Sequence, residues 1–304
     1  MAPAGLTSRP SILSEDQRAF YVEHGYLLLE SLVPTSWLDR LGAATARLVE
    51  RARTMTAPDD DIDIEPGHTP ESPRLRRLIQ PVGLDPEFWA FASQSLIIDL
   101  AADLVGPDVK FHHAKLNFKW ADGGEEVKWH QDIPFYPHTN FSPLTIGVYL
   151  EDVGLEQAPM AVVPGSHRGP IFSLYNDKEE WVGAISDADL ERVAVDAAVP
   201  LMGPAGSITV HSCRAVHGSE PNRSASSRPL LLNAYSAADA FAYTAHSTPR
   251  PQVGAIVRGA PAPFARFEVD PEPCPIPPDW SKTGYRSIFA AQQEEDLTTR
   301  TAAE

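Results

Sequence analysis

The 304-residue sequence predicts a mainly β fold with flanking α-helices, arranged as a double-sheet barrel with the helices packed outside it. Three observations carry this reading. Between Lys110 and Tyr235 short apolar runs alternate with glycine and proline, the pattern of antiparallel strands joined by hairpins. The segments ahead of residue 105 show helical periodicity and helix-start signals instead. At 43% hydrophobic residues the chain can bury a substantial core, and one elaborated domain over 1–304 fits its length.

The elements follow in chain order. Residues 1–13 read as a flexible tail. Ser14-Glu15-Asp16-Gln17 forms a capping box for a helix running to about Glu23, and Gly25 breaks it before the apolar run Tyr26 to Leu29, a buried strand. Thr35 or Ser36 caps a second helix that turns Leu38, Leu41, Ala44, Ala46 and Leu48 to the core and ends in the basic run Arg47, Arg51, Arg53. Residues 57–73 gather prolines around Asp59, Asp60, Asp61, Asp63 and Glu65. They read as an exposed acidic loop or, more sharply, as a lid over 55–75, and lack the glycine and terminal glutamate of a calcium-binding loop. A helix is expected over 86–104. Strands are expected at 110–119, 127–132, 144–150, 160–163, 207–211 and 229–235, with one inserted helix starting at Ser186.

The formal charge of −16 opposes binding to nucleic acid or to a polyanionic coenzyme and suits a small neutral or cationic substrate, unless a local basic pocket reverses it. With Cys213 and Cys274 as the only cysteines, a disulfide framework and a thiolate metal site are excluded, and a reducing cytoplasm fits. No secretion signal or membrane span is expected. Nothing in the sequence sets the oligomeric state.

The chemistry concentrates in His130-Gln131-Asp132 and in His217. Two imidazoles and one carboxylate are the set that holds ferrous iron on one face and leaves the other open. A strand continuing through 127–132 puts His130 and Asp132 on the same face, since side chains alternate with a period of two. The polar stretch 218–227 reads as a hairpin turn centred on Asn222-Arg223, which sets His217 opposite Arg228 and places a guanidinium beside the metal, suited to a carboxylate.

Trp129-His130-Gln131-Asp132, Val162-Val163-Pro164-Gly165-Ser166-His167, and His217-Gly218-Ser219 with Asn222 and Arg228 resemble the motif series of the phytanoyl-CoA dioxygenase family of iron(II)/2-oxoglutarate oxygenases. Phe20-Tyr21-Val22-Glu23-His24-Gly25-Tyr26 resembles that family's opening, so the similarity spans most of 14–236 and leaves 237–304 unmatched. The resemblance implies a double-stranded β-helix, a cupin-like jelly roll. It implies iron ligation by His130, Asp132 and His217, and capture of the distal carboxylate of 2-oxoglutarate by Arg228 with help from Ser219. It also places Asn117 and Lys119 on the strand lining the cosubstrate pocket, with Gln131 between the ligands. Dioxygen is the second cosubstrate, and succinate and carbon dioxide are the co-products.

His211 competes with His217 as distal ligand, but the Gly-Ser after His217 and the spacing to Arg228 select His217. His112, His113, His138 and His246 read as pocket lining, packing or surface, and His167 as a brace for a loop. Related halogenating enzymes replace the carboxylate ligand with a small residue, so Asp132 favours oxygenation. Leu155-Glu156-Gln157-Ala158-Pro159-Met160 departs from the Asn-Gly pair usual in relatives, a change confined to a loop. Phe135, Tyr136, His138 and Phe241, with Tyr243 and His246, either line the substrate cavity or simply pack. The expected reaction is hydroxylation of a small molecule, a secondary metabolite or amino-acid derivative. The alternatives are an acyl-CoA substrate, for which Arg74, Arg76 and Arg77 form the one basic cluster, or a non-catalytic cupin-like binding protein.

Overall fold

The computed structural model describes residues 11–121, 124–268, 274–283 and 288–293. Residues 1–10 of the expected flexible tail lie outside that set. Ser11, Ile12 and Leu13 are pinned: their backbone N–H groups donate to the Asp103 carboxylate at 2.7, 2.7 and 3.0 Å, and Leu13 is buried.

Helix α1 (Glu15–His24) starts in the expected capping box, with the Ser14 hydroxyl and the Gln17 side chain each accepting from the other's backbone. It stops at Gly25, whose φ of 79° suits a residue without a side chain. Strand β1 (Tyr26–Leu29) follows, then α2 (Thr35–Ala52), which buries Leu41, Ala44 and Leu48. Its N-cap is Pro34 with no side-chain cap, not Thr35 or Ser36.

The acidic stretch is no free loop. It contains β2 (Ile62–Ile64), paired antiparallel with β3 (Leu75–Ile79), with Asp63 bound to Arg76 at 3.2 Å and Glu65 to Arg74 at 3.2 Å. Asp61 holds Arg51 and Arg250. Asp61, Asp63 and Glu65 are thus engaged by cations, while Asp59 and Asp60 stay exposed as expected of a solvated loop. The expected 86–104 helix is two helices, α3 (Pro86–Gln94) and α4 (Ile97–Val105), bent by 44° where Ser95 turns extended. Among the described residues no single helix is long and apolar enough to cross a membrane.

The remaining strands are β4 (Val109–Asn117), β5 (Val127–His130), β6 (Leu144–Tyr149), β7 (Ala161–Val162), β8 (Val199–Pro200), β9 (Ile208–Ser212), β10 (His217–Ser219), β11 (Leu230–Ala237) and β12 (Ile256–Arg258). The helix at Ser186 is a single turn, α5 (Asp187–Leu190), and α6 (Trp280–Thr283) lies near the C-terminus. The larger sheet runs β1-β9-β6-β11-β4-β3-β2, with β12 also on β4, and the smaller runs β5-β10-β7-β8. Every described pairing is antiparallel.

The period of two divides the larger sheet into two faces. Phe111, Leu116, Ile146, Val148, Ile208, Val210, Leu231 and Tyr235 share one core with Leu41, Phe88, Phe91, Ile97 and Leu100 of the helices. Lys115, Asn117, His211, Leu230 and Leu232 line the barrel interior on the other face. Gly147 sits where strands close in, since a Cβ there would lie 2.5 Å from the Thr209 hydroxyl.

Candidate active site

His130 ends β5 and His217 begins β10, and the two are direct partners across the antiparallel pair, with ring centroids 4.2 Å apart. Asp132 does not continue the strand. Its backbone is α-like (φ −75°, ψ −34°), and it opens a short 3-10 turn over Ile133–Phe135 that is tied down by Ile133 N–H donating to Cys213 O at 2.8 Å. The expected convergence of His130 and Asp132 is therefore observed, but the turn produces it rather than strand alternation. Donor atoms of His130, Asp132 and His217 lie within 4.8 Å of one another, and all three residues are buried; His211 is not in this group.

Each imidazole is preset for ligation. Nδ1 of His130 contacts Lys128 O at 2.8 Å, and Nδ1 of His217 contacts Ala215 O at 2.9 Å. A backbone carbonyl accepts only from N–H, so Nε2 of each ring is left with its lone pair. Burial lowers the His130 pKa to about 4 and that of His217 well below the ordinary value, which keeps both rings neutral. Burial pushes the Asp132 carboxyl the other way, but Lys115 and the His211 hydrogen bond outweigh it and hold the group well below the usual range. Asp132 Oδ2 accepts from Thr145 Oγ1 at 3.0 Å and sits 3.3 Å from His211 Nε2. His211 thus orients the carboxylate from behind.

Two spaces open from this point. A recess lined by Asn117, Lys119, His211, His217, Ser219 and Arg228 lies on one side. Arg228 is 3% exposed, and its Nε has no hydrogen-bond partner among the described residues. The expected hairpin between His217 and Arg228 is absent. His217 pairs with His130 and Val162 in the smaller sheet, whereas Arg228 precedes β11 of the larger one, so the two approach the recess from opposite sheets. Asn222 holds the connection in place by donating to Lys119 O and Ser226 O. Lys119 spends its ammonium on the carbonyls of Ser219 and Glu220, and Asn117 accepts from Arg77 Nε at 2.9 Å.

On the other side lies a cavity of about 370 Å³. Phe135, Tyr136 and His138 line it, as does Phe241 at its half-exposed rim. Gln131 does not face either space: its amide donates to Pro170 O and Arg214 O and accepts from Phe172 N–H, so it fixes loops rather than a cofactor. His167 contacts Val22 O and braces α1. Of the arginine cluster, Arg74 and Arg76 are ion-paired with acids, and Arg77 alone lines the cavity.

Of the C-terminal residues expected at the cavity, Phe241 and His246 line it and the exposed Tyr243 does not. Sequence reasoning missed the rest of that outer wall, Ala240, Ala242, Thr244, Thr248, Trp280 and Ile288 among it. Thr139 N–H donates to Phe241 O and Tyr243 N–H to Pro137 O, strapping the C-terminal segment onto the chain that follows Asp132. Hydrogen bonds between irregular backbones leave no periodic trace. Lys110 and Lys115 were missed as well: five residues apart, they would sit on opposite faces of a regular strand, and only the irregular register at His112 lets both line the cavity.

The family model for phytanoyl-CoA dioxygenase (PhyH) matches residues 21–230. The chain belongs to the phytanoyl-CoA dioxygenase family. As a member of this family it is a dioxygenase dependent on iron(II) and 2-oxoglutarate. It is 31% identical, over 76% of its own length and 80% of the relative's, to a probable alpha-ketoglutarate-dependent hypophosphite dioxygenase of Stutzerimonas stutzeri. It is 28% identical to ectoine dioxygenase of Bordetella parapertussis, over 73% of this chain and 75% of that one. Among solved structures, iron-bound EctD from S. alaskensis superposes with a TM-score of 0.67 at 23% identity, covering 88% of this chain and 91% of that one. The PhyH-family fold is thus the expected mainly β, cupin-like jelly roll with flanking helices.

Proposed function

We propose that this protein hydroxylates a C–H bond of a small molecule held in the 370 Å³ cavity, with His130, Asp132 and His217 as iron ligands and Arg228 as the anchor for 2-oxoglutarate. The observation that carries the reading is the position of the three buried donors between a substrate-sized cavity and a recess containing a buried, incompletely satisfied arginine. The donor set fits ferrous iron by type and number, two neutral imidazoles and one carboxylate, with one side left open. Arg228 fits a dicarboxylate, because a buried guanidinium with no acid partner among the described residues is costly until an anion arrives.

Each residue has a definable task. His130 and His217 present Nε2, their orientation fixed by the carbonyls of Lys128 and Ala215. Asp132 offers the oxygen not engaged by Thr145 and His211. Arg228 receives the distal carboxylate of 2-oxoglutarate, with Ser219 beside it and Lys119 stitching the 219–220 backbone into place. Phe135, Trp280 and Ile288 keep the reacting space apolar and exclude water. When bound, iron and 2-oxoglutarate supply the oxidising power, with succinate and carbon dioxide as co-products. The two free cysteines, Cys213 and Cys274, fit a reducing compartment such as the cytoplasm.

The relatives are named for small substrates, hypophosphite and ectoine, and a cavity of this size suits a compact metabolite such as an amino-acid derivative. An acyl-CoA substrate is disfavoured by the engagement of Arg74 and Arg76 with Glu65, Asp63 and Glu125. The test is conversion of 2-oxoglutarate to succinate by purified protein. Ferrous iron is required and Asp132→Ala removes both the iron and the conversion; full turnover by that variant sinks the assignment.

A further inference from the structure

The net charge of −16 points toward a neutral or cationic substrate, but the cavity has the opposite balance. Asp132 is the one carboxylate among its described lining residues, facing Arg77, Lys110 and Lys115. Asp132 is taken up in holding iron, so the wall is left cationic. Lys115 makes no hydrogen bond among the described residues. Burial lowers the pKa of both lysines; Lys110 already donates to Ala238 O and Ala240 O and lies 4.1 Å from the Phe241 ring centroid, so Lys115 is the cation removed from water with the least compensation.

Imidazoles deepen this asymmetry. The register of β4 against β11 jumps from His113–Ala234 to Tyr235–Phe111, so His112 is an extra residue in a bulge. Bulges re-aim side chains, and here both His112 and His113 face the cavity, with ring centroids 4.9 Å apart. His246, from the C-terminal wall, packs 4.8 Å from the His112 ring. Donor atoms of these three histidines lie within 4.8 Å of one another, a spacing that by itself suits a metal. Their hydrogen bonds argue otherwise. Thr248 N–H donates to His246 Nδ1 at 3.1 Å, which puts the ring proton on Nε2, and that buried N–H has no partner among the described residues. His112 and His113 share a 2.6 Å Nδ1 to Nδ1 contact, closer than two ligands of one ion and consistent with a shared proton. The shared proton leaves one ring of that pair with an Nε2–H and the other with an Nε2 lone pair, so together with His246 the cluster offers two hydrogen-bond donors.

We infer that the substrate is a small organic anion, whose oxyanion head is received by Lys110, Lys115 and the His112–His113–His246 cluster while its carbon chain lies against Phe135 and Ile288. The inference rests on the dioxygenase reading for the reaction but not for the binding. Carboxylate and phosphonate heads share the required chemistry, and the probes separate them.

The experiment is anaerobic titration calorimetry of the iron- and 2-oxoglutarate-loaded protein with propylphosphonate, butanoate and butylamine. One or both anions bind, their affinity falls as salt rises, and butylamine does not bind. Lys115→Met weakens the bound anion by roughly thirtyfold or more, as expected for loss of a buried charge partner. His246→Phe, at the far wall, gives a second and independent loss. Equal binding of butylamine overturns the inference, as does unchanged anion affinity in both variants. So does a second equivalent of zinc per chain that disappears with His246→Phe, which makes the cluster a metal site. Substrate-free succinate formation is followed in parallel. Its absence defeats the dioxygenase reading alone, because anion binding is then measured on the iron-free protein.

Discussion

At the scale of single residues, the proposed site separates three candidate ligands from a residue that orients one of them. His211 lies 3.3 Å from Asp132 Oδ2 and outside the three-donor group, which makes it a positioning residue. His211→Leu is expected to weaken iron binding by roughly 10–100-fold, the range for losing a hydrogen-bonded support of a ligand, while the 2-oxoglutarate affinity of the iron-saturated protein falls less, because His211 only borders that recess. Equilibrium titration of iron against a competing chelator reads the first and cosubstrate titration the second. Arg228→Ala should give the opposite split. Truncating one partner of a buried charged contact costs about 2–5 kcal/mol, so the 2-oxoglutarate requirement rises at least about thirtyfold with little change in iron affinity. Equal effects on both would make Arg228 a structural residue.

At the scale of elements, the legible parts were those with a strong local signal. The capping box at Ser14, the break at Gly25 and the strands at β1, β4, β6, β9 and β11 all follow from periodicity or turn chemistry. The convergence of His130, Asp132 and His217 was legible as a motif, although Asp132 reaches the group through a 3-10 turn. What was not legible depends on partners distant in sequence. β2 pairs with β3, with Asp63–Arg76 and Glu65–Arg74 ion pairs beside it, and β10 joins the smaller sheet instead of turning back on β11. Gly25 shows how a local signal also serves packing. Its φ of 79° is left-handed, and a Cβ there would lie 2.3 Å from the His167 ring. Gly25→Ala should therefore cost about 1–2 kcal/mol from backbone strain alone, and more from the clash. In thermal unfolding, His167→Ala added to it restores the clash component but not the strain; full restoration would show that φ at this position carries no cost.

At the scale of the whole molecule, the acidic chain encloses a cavity that is cationic and rich in histidine, and this contrast makes stability depend on pH. Burial lowers the pKa of both His138 and His246 to about 4. In the unfolded chain each titrates near 6.5, so between about 6.5 and 4 the unfolded state binds protons that the folded state refuses. Stability from these two groups is complete above the unfolded value and falls as pH drops toward the folded one, with no further loss below it. The groups facing them have the same sign: Lys110 opposes protonation of His138, and His112 packs against both rings. The melting temperature of the iron-free protein should decline steadily from pH 7 to pH 4.5. Replacing His138 and His246 together with glutamine should reduce the slope of that decline, even if it lowers the midpoint at pH 7, because glutamine contributes no proton linkage while the other buried histidines keep theirs. An undiminished slope in the double variant would place the acid sensitivity elsewhere and leave the cavity histidines as ordinary packing.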